Sequence, residues 1–214
     1  MKEQLSEVEK INPYSQEGEK GEQVERMFDS IAPAYDFMNM AMTFGLHRRW
    51  RNIALKNAYK RWKKYNGETP EFIGGGTKPK KILDIATGTG DVAFKLAKMF
   101  PQSQIIGVDL SEGMLNIARK KLAKKSDETS RISFLKADCL HLPFNDEEFD
   151  MITVAYGVRN FSQLSAGLKE MFRVLKKNGV LCINFCAQFG SIILNSKKNR
   201  AKILNYSKKQ FSHI

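Results

Sequence analysis

The chain has 214 residues and a mass of 24.4 kDa, enough for one well-buried domain with a small appendage. Hydrophobic residues make up 42% and charged residues 27% of the sequence, as is usual for globular proteins. No apolar stretch approaches the ~20 residues of a membrane-spanning helix, and the start, MKEQLSEVEK, lacks the apolar core of a signal peptide. Three cysteines and three scattered histidines predict neither a disulfide framework nor a metal site, so we expect a reduced cytoplasmic protein.

The net charge of +12 is unevenly distributed. Residues 1–23 contain more Glu than Lys and are expected to form a flexible polar arm. The positive charge is concentrated in residues 48–64 and 197–214. The first of these basic segments interleaves Trp50, Tyr59, Trp62 and Tyr65 with Arg and Lys, in HRRWRNIALKNAYKRWKKY. This pattern is compatible with a solvated basic helix face, with a contact to anionic lipid headgroups, or with nucleic-acid binding.

Residues 24–65 are predicted to form an N-terminal helical cap that is broken at Pro33 and ends in the basic helix. Residues 66–79, NGETPEFIGGGTKP, contain consecutive glycines and two prolines and predict a connector. Residues 80–186 then alternate between apolar strands and helices. The predicted strands are 81–86, 104–109, 131–136, 149–155 and 179–185, and the predicted helices are 91–99, 112–125 and 162–176, with a turn at Leu142-Pro143. This alternation predicts an α/β domain with a doubly wound parallel sheet and a ligand site at the carboxyl ends of its strands.

The stretch ILDIATGTGDVAFKLAK, residues 82–98, contains the strongest local signal. An apolar strand leads into a Gly-Thr-Gly turn and then a helix N-terminus, an arrangement typical of sites for anionic or nucleotide-like ligands. Gly88, Gly90 and Ala93 formally match the dinucleotide fingerprint of a dehydrogenase. Asp84 lies inside the strand, where a buried acid is costly without a purpose. We expect Asp84 to face either the positive end of the ligand or the glycine loop.

Two further acids follow the next predicted strands. Asp109 ends the second strand about 20 residues after the glycines, where an acid binds ribose hydroxyls. Asp138 follows the third strand, where it can meet an adenine amino group while Cys139 supplies a backbone N–H. An ordinary turn acid is the alternative interpretation of Asp138. Together with Asp84, these positions describe the S-adenosylmethionine pocket of class I methyltransferases.

The chain resembles the ubiquinone/menaquinone biosynthesis C-methyltransferases in several motifs. These motifs are FDSIAPAYDFMN (28–39), FGLHRRWR (44–51), LDIATGTGD (83–91), LPF…FD (142–150), YGVRN (156–160) and RVLKKNG (173–179). The resemblance covers residues 24 to about 185 and implies a Rossmann-like class I methyltransferase fold with S-adenosylmethionine as its cofactor. The family's cofactor-contact positions fall on Thr89, Asp109, Asp138 and Cys139, and a further one falls on Ala155, where relatives can offer a hydroxyl. Asp84 and Gly88 are also expected to belong to the cofactor site.

The resemblance also implies a reaction, the transfer of the sulfonium methyl to a ring carbon of a prenylated quinol. Demethylmenaquinol is the expected substrate, and the ubiquinone precursor is handled by nearly the same motifs. Arg159 follows strand four and is predicted to stabilise the quinolate as a permanent cation, with Asn160 bonding the same oxygen. Tyr35 and Asp36 are predicted either to close over the cofactor or to cap and pack helices. His47 is a candidate base or, alternatively, a surface histidine among arginines.

A prenylated substrate favours a transient contact between the basic helix and a membrane surface, and hence a cytoplasmic protein that is peripheral at the inner face. An RNA methyltransferase would suit the charge, but strand four ends in AYGVRN rather than in the Asn/Asp-Pro-Pro-aromatic motif of amino-group methylators. No nucleic-acid partner is therefore expected. A dehydrogenase would need a second domain or a catalytic His, Lys or Tyr constellation that the sequence does not display. A non-catalytic protein that only binds S-adenosylmethionine stays open.

The end of the chain departs from the family pattern. Residues 187–214 form an atypical basic tail without Asp, Glu or Pro and rich in Ile, Asn, Lys, Ser and Phe. One hypothesis is an out-of-frame reading of AT-rich DNA, and the alternative is a naturally divergent tail. On the first hypothesis, the sheet is expected to lack its last strands and to expose an edge after strand five.

Overall fold

The computed structural model describes residues 19–66, 78–125, 130–184 and 191–195. The helices are α1 (Lys20–Ile31), α2 (Tyr35–Thr43), α3 (Leu46–Asn66), α4 (Asp91–Met99), α5 (Glu112–Ala123) and α6 (Leu164–Val174). The strands are β1 (Lys81–Ile85), β2 (Gln104–Asp109), β3 (Ile132–Lys136), β4 (Phe149–Ala155), β5 (Leu175–Asn184) and β6 (Ser191–Asn195). Two 3-10 turns, Ala32–Ala34 and Gly157–Asn160, complete the described elements.

The described strands form one sheet in the order β3-β2-β1-β4-β5-β6. Neighbouring strands from β3 to β5 run parallel, and β6 pairs antiparallel with β5. The chain winds outward in one direction from β1 to β3 and in the other from β4 onward. The strand order therefore reverses between β1 and β4, where the carboxyl ends of a doubly wound sheet open a crevice for a ligand. The predicted fold class is confirmed.

Apolar layers cover both faces of the sheet. One layer packs Met171 and Phe172 of α6 against the sheet, and the other packs α3 and α4, including Phe94 and Leu96. The middle strand β1 is buried along almost its whole length because it lies between these two layers. This burial fixes the carboxyl end of β1, and with it the start of the glycine loop.

The basic helix α3 directs part of its aromatic content toward the protein core. Trp62 is only 4% exposed and belongs to the apolar layer under α3. Tyr59 packs edge-on against Phe100, with ring centroids 5.0 Å apart. Tyr65 also packs against this layer. Three of the four aromatic side chains on which the lipid-contact interpretation of this segment relied therefore stabilise the fold, and that part of the interpretation is corrected.

Several predicted boundaries shift. The break predicted at Pro33 is the 3-10 turn Ala32–Ala34, and helix α6 ends at Val174 rather than at residue 176. Strand β5 begins at Leu175 rather than at residue 179 because Leu175 pairs with Phe149 across a register shift in β4. Residues 1–18 of the predicted arm and most of the predicted connector lie outside the described residues.

The sheet does not stop at the fifth strand. Five residues of the predicted basic tail form β6, which lies along β5 in antiparallel register from Asn184↔Ser191 to Val180↔Asn195. Leu194 is buried, and the Asn195 amide donates to the carbonyls of Asn178 and Gly179. The expectation that this edge of β5 is left uncovered is thus corrected, since the apolar SIILN segment can pair with it. The other residues of the tail lie outside the described residues.

Among the residues described, no helix combines the length and the apolar character needed to cross a bilayer.

Candidate active site

A cavity of about 380 Å³ lies at the carboxyl ends of the central strands, beneath α1 and α2. Its volume falls within the range of about 300–1,000 Å³ that is typical of small-molecule sites. Five of the residues that the sequence singled out line it together, namely Gly88, Asp109, Asp138, Cys139 and Arg159. These residues lie at or just after the ends of four different strands, β1 to β4, so only the parallel sheet brings them to one place.

The glycine loop turns the chain sharply from β1 into α4. Ala86, Gly88 and Gly90 all have positive φ, at 52°, 56° and 83°, the left-handed region that glycine tolerates best. At Gly90 an added Cβ would lie 2.8 Å from the Phe134 ring, so a larger residue would push the loop away from the sheet. The loop therefore brings its backbone close to the cavity, beside the positive end of α4.

Asp109 joins the glycine loop to the start of α5. Its carboxylate accepts the Gly88 N–H at 2.7 Å and the Ser111 N–H at 3.0 Å. Burial raises the pKa of Asp109, and the backbone donors oppose that rise. The carboxylate thus lies in the cavity wall with a fixed orientation, and its remaining acceptor capacity suits the hydroxyls of a ribose.

Asp138 and Cys139 follow β3 on the same side. The Asp138 carboxylate accepts the Leu140 N–H at 2.9 Å, which is the bond of a turn acid, and Asp138 also lines the cavity. The two interpretations of this acid are therefore compatible. Burial, with a smaller contribution from Asp138, raises the pKa of the Cys139 thiol far above its ordinary value, so the sulfur stays protonated and is a poor nucleophile.

Thr89 is not among the residues that line the cavity. Its hydroxyl donates to Asp36 at 2.6 Å and accepts from the Lys121 ammonium at 2.9 Å. The side chain is 3% exposed and is oriented by the cap. A direct contact between the Thr89 side chain and a cofactor would require these bonds to be exchanged.

Asp84 lies behind the glycine loop rather than in the cavity lining. It is 1% exposed, and its carboxylate accepts the hydroxyls of Thr87 and Thr153, both at 2.6 Å. Burial raises its pKa to about 6, against these two bonds. Of the two expectations for Asp84, the geometry favours the one in which it faces the loop, through Thr87.

Helix α1 covers one side of the cavity, and its anchor is a residue to which the sequence analysis gave no role. Asp29 accepts the Ser111 hydroxyl at 2.6 Å and the Gly113 N–H at 2.9 Å and so caps the first turn of α5. The ammonium of Lys20 donates to the Phe161 carbonyl at 3.1 Å. The signal was present in the sequence, since Asp29 is the acid of the motif FDSIAPAYDFMN.

Helix α2 is tied to helices α3, α4 and α5 by a charged network. Asp36 pairs with Lys121 at 2.6 Å, and Lys121 also pairs with Asp91 at 3.1 Å. Arg51 completes the network through Asp91, at 3.0 Å. Tyr35 lines the cavity. Tyr35 is placed as the prediction of closure over a cofactor requires, whereas Asp36 does not line the cavity and serves the packing of the cap through Thr89 and Lys121.

The segment after β4 carries the remaining predicted residues. Arg159 and Asn160 lie in the 3-10 turn and both line the cavity. The Arg159 side chain is exposed. Within the part of the chain that the structure describes, no hydrogen bond or ion pair engages its guanidinium. Gly157 is needed there because a Cβ would lie 2.3 Å from the Ala86 side chain. Ala155 lines the cavity with a methyl group and offers no side-chain hydroxyl.

His47 is buried at 7% exposure, which corrects the expectation of a surface residue. Its Nδ1 lies 2.6 Å from the Thr43 hydroxyl. Burial lowers its pKa, and the charges of Arg51 and Arg48 lower it further. His47 does not line the cavity, so the geometry does not support a role as the base.

The model of the ubiE/COQ5 methyltransferase family matches residues 16–198. The chain belongs to this family. It is 47% identical over 175 residues to the demethylmenaquinone methyltransferase of Bacteroides fragilis, covering 82% of this chain and 64% of that protein. It is 44% identical over 166 residues to the ubiquinone/menaquinone biosynthesis C-methyltransferase UbiE of Geotalea daltonii, covering 77% and 63%. The chain thus spans less than two thirds of the length of these relatives.

A solved structure supports the fold assignment. The complex of a methyltransferase activator and a methyltransferase from Haloferax volcanii matches with a TM-score of 0.53 at 24% identity, covering 73% of this chain and 58% of that one. At this identity the likeness bears on the fold alone, and it agrees with the Rossmann-like sheet.

S-adenosylmethionine is the cofactor that membership of this methyltransferase family implies, and the residues present fit it. The cavity has room for a nucleoside-sized ligand. Asp109, Asp138 and Gly88 line it; the two carboxylates would suit ribose hydroxyls and an adenine amino group, and Gly88 would let the backbone approach. Among the described residues no group of His, Cys, Asp or Glu could hold a metal ion.

Proposed function

We propose that this chain methylates a ring carbon of a prenylated quinol, with demethylmenaquinol preferred over the ubiquinone precursor as substrate. The observation that carries the proposal is one cavity lined both by the acids Asp109 and Asp138 and by the Arg159 cation. The names of the Bacteroides fragilis and Porphyromonas gingivalis relatives, both demethylmenaquinone methyltransferases, favour the naphthoquinol.

The chemistry requires a nucleophilic ring carbon, made reactive by an adjacent ionised hydroxyl. When bound, S-adenosylmethionine supplies the methyl group. Arg159 cannot readily act as a base, but its charge stabilises an oxyanion and lowers the pKa of the substrate hydroxyl. Asn160 also lines the cavity, and its amide would donate to the same oxygen. Helix α1 lines one side of the cavity, and such an electrostatic interaction is stronger in a site from which water is excluded.

Contact with a membrane surface is part of the proposal, because a prenylated quinol is held in the bilayer. The basic helix α3 supports it, with lysines and arginines but no acid along its sequence. We infer a protein that binds transiently at the inner face of the membrane and has no nucleic-acid partner. The family match does not favour a dehydrogenase, which was one alternative left open by the glycine loop.

The test is methyl transfer in vitro. Purified chain, methyl-labelled S-adenosylmethionine and detergent-dispersed demethylmenaquinol should yield menaquinol with one added methyl, identified by mass spectrometry. The desmethyl ubiquinone precursor tested in parallel measures the preference between the rings. Tight binding of S-adenosylhomocysteine without methylation of either quinol would instead indicate the non-catalytic alternative.

A genetic experiment tests the same proposal independently. Cells that lack the gene should accumulate a desmethyl quinone, and a plasmid copy should restore the methylated product. An unchanged quinone profile would contradict the proposal even if the purified chain binds the cofactor.

A further inference from the structure

Helix α2 has an apolar face that no other described element covers. None of its residues is buried, although most of its side chains are apolar. Phe37 is 70% exposed and Met42 is 78% exposed, whereas large apolar side chains normally reach the interior. An exposed apolar cluster of this kind is an interaction site more often than other parts of a protein surface are.

The two sides of α2 differ sharply in chemistry. Tyr35, Asn39 and Thr43 are four residues apart and so share one face; Tyr35 and Asn39 line the cavity, and the Thr43 hydroxyl contacts His47. Asp36 reaches the glycine loop through Thr89. All polar side chains of the helix are therefore used on the inner side. The outer side presents Phe37, Met38, Met40, Ala41 and Met42, all of which are exposed.

The apolar surface continues past the end of the helix. Phe44 is 92% exposed and has a left-handed backbone, with φ 48°, a conformation that is unfavourable for an aromatic residue. Leu46, the first residue of α3, is 47% exposed. We call the exposed apolar side chains from Phe37 to Leu46 the apolar corner. The turn at Phe44 extends this surface from α2 onto α3.

Positive charge lies directly beside the apolar corner. Arg48 and Arg49 are exposed and follow Leu46 by less than one turn. Farther along α3, Lys56, Lys60 and Arg61 are also exposed, and the helix contains no acid. Exposed Phe, Met and Leu beside Arg and Lys are the composition of a surface that lies in the headgroup region of an anionic bilayer.

We propose that the apolar corner is a docking surface for an anionic lipid bilayer, with Phe37, Met42 and Phe44 inserted among the acyl chains. The charge complementarity of Arg48 and Arg49 with anionic headgroups selects this partner. The inference deepens the proposed function and rests on it in one respect. Because Tyr35 and Asn39 place the other side of α2 in the cavity wall, a prenylated quinol could reach the site without leaving the bilayer.

The test uses vesicle flotation of the purified chain without quinol or cofactor. The parent should float with vesicles of equimolar phosphatidylglycerol and phosphatidylcholine, and its binding should fall as salt is raised. The variant Phe37→Ser/Met42→Ser/Phe44→Ser should bind at least about tenfold more weakly. The variant Arg48→Gln/Arg49→Gln should lose binding to the anionic vesicles and much of its salt dependence.

Matched controls separate the corner from general surface effects. Leu135→Ser removes an apolar side chain that is 42% exposed on β3, and Lys98→Gln/Lys124→Gln removes two exposed charges elsewhere. Both controls should bind vesicles as the parent does. Equal flotation of the parent and the triple serine variant would overturn the proposal. Parent self-association that depends on the same three residues, without vesicle binding, would overturn it too and would identify a second copy as the partner.

A second readout does not depend on removing side chains. In a Phe44→Trp variant, the tryptophan fluorescence emission should shift to shorter wavelength when the anionic vesicles are added, after the emission of the parent is subtracted. A Leu135→Trp variant should show no such shift. An unshifted spectrum at vesicle concentrations where the chain floats would contradict insertion of the corner. Because no quinol is present, failure of methyl transfer would leave this result standing, and the two proposals can fail separately.

Discussion

Asp84 is a buried carboxylate whose two partners are hydroxyls rather than cations. Thr87 and Thr153 donate to it from the glycine loop and from β4, so it links three parts of the chain behind the cavity. Burial disfavours its charged form, which explains why its pKa rises to about 6. The residue contributes to the shape of the loop at a cost in stability that depends on pH.

Asp84→Asn tests this pH dependence. A raised folded-state pKa means that the contribution of Asp84 to stability is fully present below pH ~4 and is lost as pH rises through about 6. Relative to the parent, the free energy of unfolding of the Asp84→Asn variant should therefore increase between pH ~4 and pH ~7, by at most about 3 kcal/mol. Urea unfolding at several pH values measures it, and a constant difference would show that Asp84 does not titrate in this range.

Among the residues of the site, Asp109 is the one whose removal should weaken cofactor binding most. Asp109→Ala removes a carboxylate acceptor of ribose hydroxyls and the acceptor of the Gly88 N–H. Binding of S-adenosylhomocysteine should weaken by ~1.5–3 kcal/mol, since bonds to charged groups are the stronger ones. Calorimetry measures the change, with Asp146→Ala as the control because its side chain is 76% exposed. An unchanged affinity would place the cofactor elsewhere.

Arg159 separates chemistry from binding. If its charge stabilises the quinolate, Arg159→Ala should lower methyl transfer by ~100-fold or more and leave affinity for S-adenosylmethionine nearly intact. Arg159→Lys should restore only part of the rate, because an ammonium lacks the planar fork of the guanidinium. Raising the pH should narrow the gap between Arg159→Ala and the parent, as the substrate hydroxyl then ionises unaided. Equal losses of binding and turnover would indicate a structural role.

At the level of elements, two family motifs meet through one arginine. Arg173 in α6 donates to the carbonyls of Leu142 and Phe144 and pairs with Glu170 and Asp146. The loop LPF and the motif RVLKKNG are thus parts of a single contact. This contact holds the loop between β3 and β4, which begins at the cavity residues Asp138 and Cys139.

Arg173→Lys should destabilise this loop. A single ammonium cannot reproduce the fork that serves two carbonyls and two carboxylates, so we expect the free energy of unfolding to fall by ~1–3 kcal/mol. Thermal unfolding measures it. Asp146→Asn is the control, since it neutralises only the most exposed partner and should change stability by less than ~1 kcal/mol. A variant as stable as the parent would mean that the carbonyls are served by other donors.

For the whole molecule, the arrangement of the sheet explains why one cavity collects residues from distant parts of the chain. The strand order reverses between β1 and β4, so the crevice opens where both halves of the sheet end. Helix α1 lies over this crevice and is fastened to the α5 side by Asp29. Cap and sheet therefore form a single site, although the cap precedes the sheet in the chain.

Strand β6 offers a test of how far the sheet must extend. A chain that ends at Asn184 leaves β5 with an unpaired edge and removes buried Leu194. It should unfold at lower urea than a chain that ends at Asn195, and it should self-associate through the exposed edge. Light scattering and urea unfolding of the two chains measure this difference. Equal stability of both would show that β5 does not need its antiparallel neighbour.

Local sequence patterns predicted the members of the candidate site where a residue's position along a strand decides whether it reaches the cavity. Asp109 and Asp138 come directly after parallel strands, whose carboxyl ends share one edge, so their meeting in the cavity follows from the alternation of strands and helices. The direction of a side chain in a turn is not set in this way. Thr89 points to Asp36, 53 residues away in the sequence, and no local signal identifies that partner.

The sequence by itself determined the strand, glycine turn and helix, the doubly wound α/β class and the family. Each rests on local periodicity or on contiguous motifs, which survive without knowledge of distant contacts. Tertiary structure alone decided that Trp62 faces the core and Phe37 faces outward, that Thr153 holds Asp84, and that residues 191–195 cover the edge of β5. These outcomes depend on which surfaces compete for burial once the sheet has formed, and that competition is settled only among segments far apart in the chain.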